Sequence, residues 1–219
     1  EFRRLPILTK QDIRRQRADL AARNFIGRTW PKATGGSTGT PLQFDYTPES
    51  YDWRVAVTKR GYGWAGCLDG VKQAHVWGIP IGEVPRLRQL KERLHRRIAR
   101  QRYFNCFHFD DEHKARCIAV LNRFQPDILV GYAVAVYHLA EFIHRHGGAQ
   151  FRPRAVITGA EQLHEFQRDV ISRVLGCPVF NTYGSREFML IGAECEQHRG
   201  FHISAENLVV EIIPTYYAY

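Results

Sequence analysis

The chain has 219 residues, 44% of them hydrophobic and 24% charged, an ordinary globular composition long enough for one sizeable core or two small domains, which excludes a disordered or fibrous chain. Its 31 Lys and Arg against 22 Asp and Glu give a formal net charge of +9, so anionic ligands are admitted and cationic ones disfavoured. No apolar run approaches the roughly 20 residues of a membrane helix. The start EFRRLPILTK has no apolar signal core, and five scattered cysteines argue against a disulfide framework, so the chain reads as cytoplasmic.

From Ala33 to Pro41 every residue is Ala, Gly, Ser, Thr or Pro, and the PLQFDY that overlaps its end is strand-like. Thr47, Pro48 and Glu49 supply a cap, a first-turn proline and an acid at the positive dipole end, predicting a helix over about 48–62. HVWGIPI (75–81) reads as a buried strand closed by Pro80. In RLRQLKERLHRRIARQR (86–102), Leu87, Leu90, Leu94 and Ile98 fall three or four apart, predicting an amphipathic helix with a basic outer face. That face is either solvated or a patch for an anionic partner such as nucleic acid, coenzyme A or a lipid surface. The lack of aromatics among the arginines weakens the nucleic-acid reading.

NCFHF (105–109) is strand-like, and DDEHKARCIAVLNRF (110–124) opens with acids and continues as a helix. The second half alternates more regularly. DILVGY, RAVITGA and PVFNTYG read as strands; AVAVYHLAEFIHRHGG and QLHEFQRDVISRVLG read as helices ending in glycine. FHISAENLVVEII adds at least one further strand. Such alternation means an α/β fold, a largely parallel sheet with flanking helices, and no linker divides it.

In open α/β sheets ligands bind beyond the carboxyl ends of the strands. TGAE (158–161) and YGSRE (183–187) directly follow two predicted strands. Gly159 and Gly184 let backbone approach a ligand, Tyr183 offers a ring to stack on, and Glu187 a hard oxygen for magnesium. Each also has a plain structural reading, as a turn or as packing. The glycine-rich stretch lacks the lysine of a Walker loop, since Thr40 and Pro41 follow Gly39. Amides freed by Gly35, Gly36 and Gly39, with the hydroxyls of Thr34, Ser37, Thr38 and Thr40, can still bind phosphate. A bare linker is the alternative, although a linker is not expected to run straight into a strand. GYGWAG (61–66) matches the dinucleotide fingerprint but closes a helix instead of opening one, so it is set aside.

LPILTKQDIR, TGGSTGTP, TGAEQL, TYGSREF and CEQHRGFHISAENLVVEII, in that order, resemble the motifs of the adenylate-forming ligases, specifically the phenylacetate–CoA ligase family and its capsule-biosynthesis relatives. The resemblance implies part of the large N-terminal domain of such a ligase. Residues 1–32 would be an N-terminal segment, 33–213 a partial adenylation domain, and 214–219 a tail outside the family; the C-terminal domain with its catalytic lysine would be missing. It implies that Thr34, Gly36, Ser37, Thr38 and Gly39 wrap the ATP phosphates, and that Gly159, Ala160 and Glu161 border adenine. Tyr183 would stack on the base beside Gly184, and Glu187 would hold Mg2+ and act in catalysis. Tyr62 and Trp64 would line the pocket of the carboxylic acid, and coenzyme A would accept the acyl group. Cys195, His198 and His202 have the metal-like spacing C-x2-H-x3-H. By resemblance, Cys195 and His202 would form half of a structural Zn2+ site; unliganded residues on a turn and strand are the alternative. The expectation is an acid–thiol ligase fragment that does not complete adenylation alone. A non-catalytic nucleotide- or acyl-binding relic, or a basic nucleic-acid-binding module, are the rival readings.

Overall fold

A computed structural model describes residues 5–34, 41–78 and 86–212. Helix α1 (Lys10–Arg15) opens with a capping box in which Thr9 and Asp12 satisfy each other's backbone N–H groups. Strands β1 (Trp30–Ala33) and β2 (Gln43–Tyr46) pair antiparallel, and helix α2 (Pro48–Trp64) begins where the sequence places it, with the Thr47 hydroxyl accepting the Ser50 N–H. The helix runs to Trp64, so GYGWAG does close it.

The remaining elements are β3 (Gln73–Trp77), α3 (Arg86–Ile98), β4 (Gln101–Asn105), α4 (Asp111–Phe124), β5 (Ile128–Tyr132), α5 (Ala133–His146), β6 (Ala155–Gly159), α6 (Glu165–Leu175), β7 (Val179–Ser185), β8 (Met189–Ala193) and β9 (His202–Ile203). They form a seven-stranded sheet in the order β4-β3-β5-β6-β7-β8-β9. The first five strands are parallel, and β8 and β9 continue antiparallel. The expected α/β class with a largely parallel sheet is therefore the one observed.

Both faces of the parallel strands are covered, so β5 and β6 are buried almost throughout instead of alternating. On one face Ala74, Val76, Leu129 and Val156 pack against Leu121, Val136, Leu139 and Ile171 of α4, α5 and α6. On the other, Ile128, Val130, Ile157 and Phe180 meet Tyr62, Ala65 and Cys67 at the end of α2. A third cluster, Val57 with Leu190 and Ala193, seats α2 on β8. The five cysteines are unpaired.

Four local expectations are corrected. The predicted helix over 86–102 stops at Ile98, because Arg100 turns into the left-handed region (φ 54°) and donates to the Gly70 carbonyl. The strand then occupies 101–105, in register with 73–77, instead of 105–109. The strand read over 75–81 is β3, ending at Trp77; residues 79–81 lie outside the described residues. Among the described residues of FHISAENLVVEII only His202 and Ile203 form a strand, and β8, which the sequence reading passed over, supplies the neighbouring one.

The leucine stripe of α3 is also not a core face: Leu87, Leu90, Leu94 and Ile98 are all exposed. The side of α3 turned inward is that of Arg96, which pairs with Glu92 and lies over the Tyr103 ring at 4.2 Å. Tyr103 in turn stacks on the buried His75 imidazole at 4.3 Å, and His75 Nε2 meets Gln73 Oε1 at 3.1 Å.

Burial, with Arg96 as a lesser contributor, pushes the His75 imidazole down to about 4. The folded value lies below the unfolded one, so the unfolded chain binds more protons between about pH 6.5 and 4. Stability is complete above that window and falls through it at about 1.4 kcal/mol per pH unit. Urea unfolding is expected to show a lower midpoint at pH 5 than at pH 7, with most of the difference lost in His75→Gln. An unchanged difference in that variant would rule out His75 as its source.

Candidate functional site

Strands β6 and β7 are parallel neighbours, so the turns that follow them emerge side by side. Two hydroxyls lock the seam. Thr182 Oγ1 donates to the Thr158 carbonyl at 2.7 Å, and Thr158 Oγ1 reaches the Phe180 carbonyl and Asn181 Oδ1 at 3.3 and 3.2 Å. Gly159 is buried at this seam, where an added Cβ would stand 2.6 Å from Thr182 Oγ1. Ala160 follows in the left-handed region (φ 66°), a conformation costly for alanine and characteristic of constrained site backbone. Glu161 is exposed, and its Oε2 accepts the Val134 N–H at 3.0 Å, capping the first turn of α5 where Tyr132 provides no side-chain cap. The Gly159–Glu161 turn is thus tied to the end of β5.

On the neighbouring strand Tyr183 is 57% exposed, with its ring 6.3 Å from that of Phe201. A β-bulge separates Tyr183 from Gly184, and a Cβ at Gly184 would overlap the Met189 carbonyl. Glu187 lies half-buried in the turn between β7 and β8. The structure therefore brings Gly159, Ala160 and Glu161 beside Tyr183 and Gly184, with Glu187 in the turn just beyond.

Thr34 lies at the neck of the glycine-rich stretch. Its N–H donates to the Leu42 carbonyl and its hydroxyl accepts the Leu42 N–H, both at 2.9 Å. Gly36, Ser37, Thr38 and Gly39 lie outside the described residues.

Tyr62, expected at the acid pocket with Trp64, packs against the cluster of Ala65, Cys67, Ile128, Val130, Ala155, Ile157 and Phe180, and burial pushes its phenol up. Trp64 packs against the His202 ring at 4.8 Å. The aromatics at the carboxyl ends are Trp77 and Tyr132, edge to face at 4.7 Å, with Phe107 6.2 Å from Tyr132. Trp77 also borders Gly159, with 3.8 Å between its ring and a Cβ built there. Each is the last aromatic of an apolar run, HVW and ILVGY, the position at which the sequence could have flagged it.

Among the described residues no group of three or more His, Cys, Asp or Glu could hold a metal ion. His202 is stacked on Trp64, and His198 Nδ1 meets Glu194 Oε2 at 3.2 Å, over the Phe180 ring. Glu194 is buried and chelated by Arg168, and it also accepts the Asn181 N–H at 2.8 Å. Burial alone would raise its carboxyl, but these donors hold it below the usual carboxylate range.

Two cavities among the described residues bear on the site. The larger, about 800 Å³, runs along the edge strand β4 and α4 past Tyr103, His108 and Arg116, and touches none of the expected site residues. The smaller, about 290 Å³, lies between the first turns of α2 and the β7–β8 turn and includes Glu187.

No protein-family profile matches the chain. Protein CapK of Staphylococcus aureus is 31% identical over 186 residues, which make up 84% of this chain and 40% of CapK. The chain thus spans less than half the length of that curated relative. Among solved structures, 2-hydroxyisobutyryl-CoA ligase in an open conformation with 2-HIB-AMP and CoA superposes with a TM-score of 0.62 at 16% identity, covering 90% of this chain and 47% of that one. VinN superposes with a TM-score of 0.56 at 13% identity, covering 85% of this chain and 45% of VinN. The chain is thus similar in sequence to CapK over 186 of its residues, and it shares the α/β fold seen in 2-hydroxyisobutyryl-CoA ligase and VinN.

Proposed function

We propose that the protein of which this chain is part activates a carboxylic acid with ATP and passes the acyl group to coenzyme A. The observation that carries this reading is the side-by-side emergence of the Gly159–Glu161 and Tyr183–Glu187 turns from parallel neighbours. An adenine bordered by the backbone of Gly159, Ala160 and Glu161 and stacked on exposed Tyr183 would direct its phosphates toward Glu187. Thr34 and the segment 36–39 would cradle them by amide and hydroxyl donors.

The acid would lay its apolar part on Trp77 and Tyr132, which adjoin Gly159. Its carboxylate oxygen attacks the α-phosphorus, the bond to the bridging oxygen breaks, and pyrophosphate leaves with the electron pair. The coenzyme A thiol, after losing its proton, attacks the acyl carbon and releases AMP. The chain's contribution is orientation, exclusion of water by the aromatic wall, and placement of the Glu187 carboxylate. That half-buried carboxylate fits magnesium, which takes one or two carboxylates together with phosphate oxygens and water. When bound, magnesium neutralises charge on the leaving group.

Acid-dependent exchange of radiolabelled pyrophosphate into ATP tests the reading, run over aryl and aliphatic acids with the protein extended to CapK length. Exchange stimulated by at least one acid is expected, and its loss by about 100-fold in Glu187→Gln. Absence of stimulation across the panel would reject carboxylate activation. The two glycines separate as well. Gly184→Ala forces backbone against the Met189 carbonyl, whereas at Gly159 the obstacle is the Thr182 hydroxyl, which can rotate. Magnesium–ATP affinity and thermal stability are therefore expected to fall further in Gly184→Ala than in Gly159→Ala, and the reverse order would refute this account of the bulge.

A further inference from the structure

Arg54 is 7% exposed, on the face of α2 that also buries Val57 and Gly61. Its Nη2 donates to the Arg186 carbonyl at 2.7 Å, and its guanidinium carbon lies 4.7 Å from the centre of the Tyr46 ring. Its Nε and Nη1 are buried and have no hydrogen-bond partner. A ring face attracts the charge but satisfies neither N–H group. Unpaired buried donors are costly and rare in native proteins, so these await a partner.

The cavity of about 290 Å³ that Arg54 lines supplies the place. Its wall also includes Thr47 and Ser50 at the amino end of the 17-residue helix α2, Glu187, and Asn207. Asn207 Oδ1 is a third buried atom without a partner, and a side-chain amide turned about its axis presents its NH2 group instead. A buried guanidinium, a helix amino end and an amide converge on one small space, and all three recognise oxyanions. Glu49 and Glu187 line the same cavity, so a bare anion meets opposing charge and a metal-bound one does not. The volume lies at the lower end of the roughly 300–1,000 Å³ range of ligand cavities, too small for a nucleotide but suited to a short polyphosphate.

We propose that this cavity seats a pyrophosphate group with its divalent cation, that Arg54 is its resident cationic ligand, and that the same guanidinium positions Glu187 through the Arg186 carbonyl. The assignment rests on the adenylation reading, and it adds to that reading the seat and the side chain that receive the leaving group. Arg54 takes over a charge-neutralising role for which the glycine-rich stretch has no lysine.

Calorimetry of magnesium pyrophosphate binding to the chain tests it without turnover. The wild-type chain is expected to bind. Arg54→Met is expected to weaken binding by at least tenfold, while its melting temperature without ligand stays within about 3 °C, because the lost ion had unmade bonds. Arg54→Lys, which keeps the charge and loses the fork, is expected to fall between them and decides the matter should Arg54→Met fail to fold. Omitting magnesium is expected to weaken wild-type binding and to change little in Glu187→Gln. No wild-type binding, or wild-type affinity in both Arg54 variants, would overturn the assignment. The two readings fail separately. Acid-stimulated exchange with an unaltered pyrophosphate dependence in Arg54→Lys sinks only the Arg54 seat; Arg54-dependent binding without exchange for any acid sinks only carboxylate activation.

Discussion

Val156, Ile157 and Thr158 pair in parallel with Val179, Phe180 and Asn181, and parallel neighbours necessarily release their following turns at the same end of the sheet. From that pairing come the closeness of Gly159 to Thr182 and the alignment of Tyr183 beside Ala160. Hydroxyl-to-carbonyl bonds between Thr158 and β7, and between Thr182 and β6, hold the register where the backbone ladder ends. An antiparallel β7 would send the two turns to opposite ends, and the same motif residues would share no ligand.

Holding β7 in place falls partly to a buried charge. Arg168 on α6 grips Glu194 with two nitrogens and also donates to the Val179 carbonyl, while Glu194 accepts the Asn181 N–H and meets His198. One carboxylate therefore ties α6, the start of β7 and the end of β8 together. A buried ion pair of this kind contributes little net stability over an apolar filling, but losing one partner strands the other. Its value here is geometric: it fixes β8 against β7, and β8 carries the Met189 carbonyl that leaves room only for glycine at 184. His198 joins this network through its Nδ1 contact with Glu194 Oε2.

The parallel core was legible because β5 and β6 are continuous apolar runs between amphipathic helices, a pattern only a sheet covered on both sides produces. The motif turns were legible for the same reason, since they follow those runs immediately. The α3–β4 region was not. The period of Leu87, Leu90, Leu94 and Ile98 correctly marked a helix, but periodicity cannot say which face is turned inward, and Arg96 against Tyr103 decided it. The strand boundary was missed because Arg100, no glycine, takes the left-handed turn.

Arg54 shows why a charge inside an apolar helix face deserves a different reading from one on a solvated face. With Val57 and Gly61 it keeps the three-and-four spacing of a buried stripe and shares their inward position. Among the described residues no other Lys or Arg is buried to this degree. Lys91, Arg93, Arg96 and Arg97 of α3 are half-exposed or exposed and screened by salt, and their interaction with an anion fades within about 10 Å at ordinary ionic strength. A single guanidinium shielded from water acts on an oxyanion through a lower dielectric and at fixed geometry, and outweighs many solvated bases. The glycine-rich stretch needs no lysine of its own if a buried base on the helix that follows β2 faces the same leaving group across the Arg186–Glu187 turn.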